Sequence, residues 1–533
     1  MKSRQNNIVV LLIFGIVMVG CEKPVKTIEG PKEIAVEIGV ETTIGSLVEI
    51  LSVDSISVEG YGLVAGLNGT GSAECPPRIR AYLRQYILKQ LPTDVLKPDE
   101  FISSLDTAVV QVEGMMPRTF AKNEYFDVKV TALEGTQTTS LEGGRLYRTE
   151  LKAAGGFGLT IKVLGAAEGP VFIDTIGAKE TNKRVGYILG GGTVLDKYRI
   201  NLILRQPNYR IANAIRNKLN GRFGASTSKA VSPSQIEAEV PAKYKGQKQR
   251  FISIVKAIYL AETPEITAER ISTFVRKLAV AGDKDITEAG LEAIGNESVG
   301  KLAALLNSSN EEVRLRAARC MLNLGSDVGL EALREIASTK GSPYRVEALE
   351  AIRAGASRND AAVISRKLLR DDDFDIRLAA YEQLRKLGDI AITQELIARD
   401  FFLEQVAQTH HKGIFVSRSG QPRIVLFGAP IYCRENIFVQ SPDGNITINA
   451  PAGQQYVSII RKHPKRPNVT LQLRSSYDLS DIIRTLCKEP LKKEGEGRVG
   501  LNVSYAEGIA LLREMCYKGA VDAEFRAGPL PKI

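Results

Sequence analysis

The chain has no tryptophan and only three histidines among its 533 residues, and both scarcities bound its chemistry. His410, His411 and His463 supply no HExxH zinc pair, and no GxSxG elbow or Ser, His and Asp grouping accompanies them. Cysteine is sparse as well. Apart from Cys21, the positions Cys75, Cys320, Cys433, Cys487 and Cys516 form no CxxC pair and no zinc spacing. Their odd number leaves at least one thiol free or paired with another chain. Cys320 lies on the apolar side of a helical pattern and reads as a small buried hydrophobe, while Cys487 and Cys516 sit in neighbouring helix patterns and could meet. No apolar run reaches the roughly 20 residues that span a bilayer as a helix. Lysine is missing where a nucleotide site would need it. Residues 59–71, EGYGLVAGLNGTG, hold five glycines but no GK[ST], and the third glycine of Gly60, Gly62 and Gly66 falls one residue late for a dinucleotide fingerprint. The sequence therefore offers no catalytic, cofactor-binding or metal-binding residues, and the expectation is a protein that is not an enzyme.

A composition of 44% apolar and 25% charged residues is that of a folded chain with room for about three to four domains. The net charge of +10 is concentrated partly after residue 401, which suits an acidic partner such as a cell-wall polymer or an anionic lipid surface; a solvated face gives the same count. Arg461, Lys462, Lys465 and Arg466 form the candidate contact for an anionic polymer, with an ordinary solvated loop as the alternative. Nothing in the pattern calls for nucleic acid. At the N-terminus, Lys2 and Arg4 precede an uncharged run from Ile8 to Gly20, the size of a signal h-region. The run ends Met18-Val19-Gly20-Cys21, which resembles the lipobox of bacterial lipoproteins and makes Cys21 the expected lipidated residue; the alternative is a plain secretory signal with an incidental cysteine. Glu22, in place of the aspartate that typically retains such proteins at the inner membrane, points to the outer membrane.

Along the chain the texture changes twice. After a signal (1–21) and a tether (22–45), residues 46–262 alternate as strands, for example 107–112, 125–130 and 159–163, interrupted by amphipathic helices at 77–90 and 209–219. Residues 263–411 read as helical and repetitive. Val313-Arg314-Leu315-Arg316, Tyr344-Arg345-Val346-Glu347 and Ile376-Arg377-Leu378-Ala379 recur at intervals of 31 and 32 residues, each followed by a glycine at Gly325, Gly355 and Gly388. Acidic turns and the arginines after them resemble short HEAT repeats. Strands return over 412–533 (414–416, 423–427, 437–439, 446–448), closed by helices at 479–487 and 504–517 and a last strand at 523–526.

The glycine stretch Gly60-Tyr61-Gly62-Leu63-Val64-Ala65-Gly66-Leu67-Asn68-Gly69-Thr70-Gly71 resembles a signature of the bacterial flagellar P-ring family. In the same order follow Phe126-Asp127-Val128-Lys129-Val130, Ser140-Leu141-Glu142-Gly143-Gly144-Arg145-Leu146, Leu151-Lys152, Arg210-Ile211-Ala212-Asn213-Ala214-Ile215, Arg222-Phe223-Gly224 and Val240-Pro241, each similar to a family segment. Beyond the helical stretch, 420–428, 443–448, 479–486 and 519–524 resemble later family segments. The resemblance implies an α+β, strand-rich P-ring-like fold split by an inserted all-α HEAT-like solenoid that is expected to fold alone and to be removable. It also implies a periplasmic structural subunit at the flagellar basal body that assembles with copies of itself into a ring around the rod at the peptidoglycan layer, beside an outer ring and an assembly chaperone. The competing reading is a lipid-anchored envelope scaffold with the same fold and no flagellar role. The motif glycines (Gly60, Gly62, Gly66, Gly69, Gly71, Gly143, Gly144), with Tyr61 and Asn68, serve either turns inside one subunit or a contact between subunits.

The lipobox reading predicts that mass spectrometry of the mature N-terminus finds acyl chains on Cys21. A free amino terminus beyond residue 21 would contradict it.

Overall fold

Strict alternation of apolar and polar residues lets the first long strands close on themselves. The computed structural model of the protein describes residues 39–533 apart from 52–54, 91–96, 118–121, 177–180, 196–198, 281, 464–465 and 490–499, so Cys21 and Lys465 lie outside the described residues. The chain begins with α1 (Ile44–Leu47) and β1 (Val48–Leu51). Strands β2 (Ser55–Ala65), β3 (Thr107–Pro117), β4 (Tyr125–Ala132), β5 (Arg145–Ala153), β6 (Gly165–Pro170) and β7 (Val185–Val194) then form a closed barrel in the order β2-β3-β4-β7-β6-β5. Val58, Val110, Val112, Val128, Val130 and Ile188 fill its interior. Outside, α2 (Pro77–Gln90) and α3 (Pro98–Ile102) lay Tyr82, Leu83 and Ile102 over Leu63 and Val109.

A second, four-stranded sheet follows, in the order β1-β8-β10-β9, from β8 (Ile200–Leu204), β9 (Ser228–Ala230) and β10 (Gln235–Ala238). Helix α4 (Tyr209–Phe223) starts where the Asn208 side chain accepts from the N–H groups of Arg210 and Ile211, and it runs past Asn220-Gly221 to stop at Gly224. Helix α5 (Lys248–Ala257) closes this block. Two expectations are corrected here. Residues 159–163 are not a strand but part of the connection between β5 and β6, whose ladder begins only with Leu151 opposite Gly165; alternation alone does not supply a partner strand. The tether also ends early. The Ile44 N–H donates to the Ile258 carbonyl at 2.8 Å and its side chain is fully buried, so the fold already includes Thr43 and Ile44.

Helices α6 (Pro264–Val280), α7 (Lys284–Ile294), α8 (Val299–Leu302), α9 (Glu311–Asn323), α10 (Leu330–Ser338), α11 (Arg345–Gly355), α12 (Arg358–Leu368) and α13 (Phe374–Leu387) come next. Asp283, Asn310, Ser357 and Asp373 cap four of them by accepting backbone N–H groups of the first turn. α9, α11 and α13 pack side by side, with α10 and α12 against them. The helical reading of 263–411 fails at its end, where β11 (Ile392–Ile397) and β12 (Phe401–Val406) form a hairpin. Its connection takes Ala398 and Arg399 through φ of +50° and +60°, without the Gly or Asn that usually announces such a turn.

Strands β13 (Gly413–Val416), β14 (Arg423–Phe427), β15 (Ile437–Gln440), β16 (Ile446–Ala450), β17 (Val457–His463), β18 (Arg466–Ser475) and β19 (Glu524–Ala527), with α14 (Leu479–Cys487) and α15 (Tyr505–Tyr517), complete the chain. They build a five-stranded sheet, β11-β12-β14-β13-β19, and a four-stranded antiparallel sheet, β15-β16-β17-β18. The α+β class is as expected from the sequence. All five described cysteines are free, so Cys487 and Cys516 form no bridge; Cys320 is buried, as its position on the helix suggests.

The helical run is tied to both of its neighbours, by an apolar core at one end and by ion pairs at the other. At its far end, Tyr381 and Leu384 of α13 join Val406, Phe415, Val425 and Phe427 of the five-stranded sheet in one apolar cluster. At its near end, Arg250 of α5 reaches Glu288 at 2.8 Å and Glu292 at 2.5 Å on α7, and Arg316 and Arg319 of α9 also bind Glu288. Burial alone would raise the Glu288 pKa, but the Arg250 and Arg319 guanidiniums outweigh it and bring the carboxyl down to about 2 from 4.5. A depressed carboxyl stabilises the fold above its unfolded pKa and loses that contribution as pH falls toward the folded one. Glu288→Gln is therefore expected to lower the unfolding free energy by about 3 kcal/mol at neutral pH, with the difference from the parent shrinking between pH 4.5 and 2 in chemical denaturation. A pH-independent difference would contradict this.

Candidate functional site

The glycines of the stretch serve two ends, close packing along β2 and at Gly71, and a positive-φ turn between them. Gly62 lies in β2 where β5 crosses it, and a Cβ there would sit 2.1 Å from the Thr149 Oγ1; at Gly60 the same atom would meet the Glu150 carbonyl at 2.3 Å. Tyr61 between them turns the other way and meets Phe157 edge-on, with ring centroids 5.7 Å apart. Gly66, Asn68 and Gly69 take positive φ in the turn that follows, and Gly71 lies against the Thr107 carbonyl. The second glycine pair, Gly143 and Gly144, forms the turn before β5. The two turns are stitched together: the Thr70 Oγ1 donates to the Ser140 carbonyl at 2.9 Å and the Thr139 N–H to the Thr70 carbonyl at 2.9 Å.

The stitched turns form one lip of a cleft of about 570 Å³ that also gathers Asp400, Asp443, Lys462, His463 and the lead into α15. Its walls are charged, and the carboxylates among them have partners. Glu142 pairs with Lys183 at 2.7 Å, Asp400 with Arg145 at 3.2 Å, and Glu507 with Arg461 at 3.1 Å. Asp443 accepts from Ser441 and Asn445; burial opposes its charge, but these hydrogen bonds hold the carboxyl below its usual range. Burial raises the Asp400 pKa despite Arg145. Cleft and glycine lip thus bring together the two sets of residues singled out by the sequence, Asn68, Gly143 and Gly144 with Arg461 and Lys462.

Arg461 is not the exposed cation that a basic loop would present. It lies on β17, 7% exposed, and its guanidinium donates to the Leu501 and Asn502 carbonyls at 2.6 Å and to Glu507. The reason is the inward-facing register of its strand position, which puts it beside the carbonyls leading into α15. Lys462, one residue on, is exposed. Arg466 starts β18, its side chain outside the described residues, and β18 pairs antiparallel with the β17 strand that carries Arg461 and Lys462.

Sequence reasoning missed the residues that join the barrel to the rest. Asp127 on β4 accepts from the Gly190 N–H (2.6 Å), the Ser419 Oγ (2.7 Å) and the Gly420 N–H (2.9 Å). Gly190 has φ +61°, and a Cβ there would lie 3.2 Å from the Gly420 carbonyl, so the run Gly190-Gly191-Gly192 marks a contact between distant segments. Arg418 spans the same seam to Asp174 at 3.1 Å. Tyr505, at the start of α15, donates to the Ser417 and Arg423 carbonyls and packs between Phe172 of the barrel side and Phe401 of β12. The triple glycine was the available signal. Among the described residues no group of three or more His, Cys, Asp or Glu is placed to hold a metal ion, and no helix is long and apolar enough to cross a membrane.

Comparison with known families decides which resemblance this geometry carries. Residues 43–272 match the family model of the flagellar P-ring protein. The resemblance read from the glycine stretch is borne out. The matched residues comprise the barrel, the β1-β8-β10-β9 sheet, α5 and the start of α6. Flagellar P-ring proteins of Thermotoga maritima (31% identical over 213 residues, 37% of this chain and 61% of the relative), Anaeromyxobacter dehalogenans (28% over 255 residues, 44% and 64%) and Helicobacter pylori (25% over 243 residues, 44% and 66%) are similar to the chain. The chain thus spans a little under two thirds of the length of these P-ring proteins. The P-ring-like stretch read at 412–533 lies beyond the family match.

Asp127→Asn replaces an acceptor-only carboxylate with an amide that faces two N–H donors. It is expected to lower the unfolding free energy by about 2 to 3 kcal/mol and to speed amide exchange at Gly190 and Gly420 ahead of the barrel interior. Unchanged exchange at Gly420 would show that Asp127 does not hold the seam.

Proposed function

We propose that the protein is a structural subunit of a flagellar P ring, assembling with copies of itself around the rod in the periplasm at the peptidoglycan layer. The observation that carries this reading is the match of residues 43–272 to the P-ring family, which coincides with the barrel and with its paired glycine turns. The second family-like stretch, 412–533, supports it by seating on that barrel through Asp127, Arg418 and Tyr505. The role is mechanical: a rigid body whose cleft carboxylates are each answered by a cation or a donor suits a bushing better than a reaction site.

In this reading the chain is exported and acylated at Cys21, which tethers it to the outer membrane, and the helices α6 to α13 form a HEAT-like unit specific to this version of the subunit. The spacing of the capped helices supports that assignment. The outer ring, an assembly chaperone and peptidoglycan are its partners, with Lys462 of the basic cluster facing solvent on the cleft rim as a contact for an anionic polymer.

Heterologous contacts close into a ring when the rotation per subunit divides a full turn. Electron microscopy of envelope fractions should find the protein in closed rings coaxial with a rod, and deletion of its gene should leave rods without that ring. A monomer in every fraction of swimming cells would overturn the proposal.

A further inference from the structure

The seam between α5 and the helical run holds more cations than its carboxylates can match. Asp285, Glu288, Glu292 and Glu312 are taken up by Arg250, Arg316, Arg319 and Lys284. Two cations remain, Arg222 at the end of α4 and Lys243 just before α5, and neither is paired with a carboxylate in the described structure. Arg222 donates to the Glu292 carbonyl at 2.9 Å and Lys243 to the Asn323 carbonyl, the last turn of α7 and the end of α9 respectively. A helix C-terminus carries only about half a negative charge, so these contacts leave positive charge over. The Arg222 Nε is buried with no partner.

Both cations line one cavity of about 270 Å³, which has Phe223, Asn296 and Asn323 on its walls and no carboxylate among its lining residues. We propose that this cavity binds an oxyanion, the phosphate or carboxylate end of a small ligand, between Arg222 and Lys243. Arginine offers a planar fork of donors and lysine a mobile point charge, the pair of groups that phosphates and carboxylates are held by. The Asn296 side chain adds a neutral polar group, while the buried Asn323 amide donates to Glu292, and Phe223 gives the ligand body an apolar wall. Partial burial lowers the Lys243 pKa; the Glu292 carboxylate pulls it back up and Arg222 acts with burial. An anion here would fasten the P-ring-like block to the helical run, since Arg222 and Lys243 come from the first and Asn296 and Asn323 from the second. The inference stands independently of the flagellar role.

The test is a titration of the full chain with inorganic phosphate, and separately with acetate, at constant ionic strength held by chloride. Saturable heat of binding and a rise in Tm of several degrees are expected from at least one of the two, which also identifies the source of the charge. Lys243→Gln should weaken that binding at least tenfold, while Lys243→Arg keeps it, so that a loss cannot be ascribed to misfolding. No heat and no Tm gain beyond chloride with either anion would overturn the proposal, as would binding of equal strength in Lys243→Gln.

Discussion

A sheet buried on both faces sets the terms for this protein. In β11-β12-β14-β13-β19 the residues Val406, Phe415, Val425 and Phe427 point toward α13, while Leu403, Ile414, Ile424 and Leu426 point into the core made with α14, α15 and the β15-β16-β17-β18 sheet. Burial of a large apolar side chain is worth roughly 1.5–3 kcal/mol, so neither face can be left to water without cost to the other. Tyr381 and Phe427 meet edge-on at 5.5 Å across this junction. The helical run is thereby one of the two coverings of a sheet, which is a different thing from a unit hung on a loop.

The barrel depends on the same sheet through a polar seam. The loop between β13 and β14 presents Ser419 and Gly420 to Asp127, and Arg418 to Asp174, while Tyr505 fixes that loop from below by its two hydrogen bonds. The glycine turns of the barrel and the basic strand β17 then face each other across the cleft as a consequence. With Arg250, Glu288 and Glu292 closing the opposite seam, the helices are held at both ends, and a load on the barrel would pass through packed side chains and ion pairs rather than through a flexible linker.

Local signals made much of this legible. The helices 77–90 and 479–487 agree with α2 and α14 residue for residue, because Pro77 opens one and Asp478 caps the other. The acidic turns likewise stand before α9 and α13, where Asn310 and Asp373 are the caps, and the glycine motif pointed to the family. What was missed depends on partners far away in sequence. The hairpin of β11 and β12 turns through Ala398 and Arg399, which carry no turn signature. Residues 159–163 alternate correctly but have no strand to pair with. Arg461 has the same charge as Lys462, and only the strand register decides that one is buried against Glu507 and the other is exposed. Asp127 looked like one more polar position in an alternating strand until Gly190 and Gly420 were brought to it.

The most direct measurement of this account is replacement of residues 264–389, the helices without the β11 and β12 strands, by a short Gly/Ser linker. A shared core predicts that the shortened protein loses its single cooperative unfolding transition and binds an apolar dye through the uncovered face of Phe415, Val425 and Phe427. A soluble product that unfolds cooperatively at the temperature of the parent would contradict it and restore the helical run as an independent insertion.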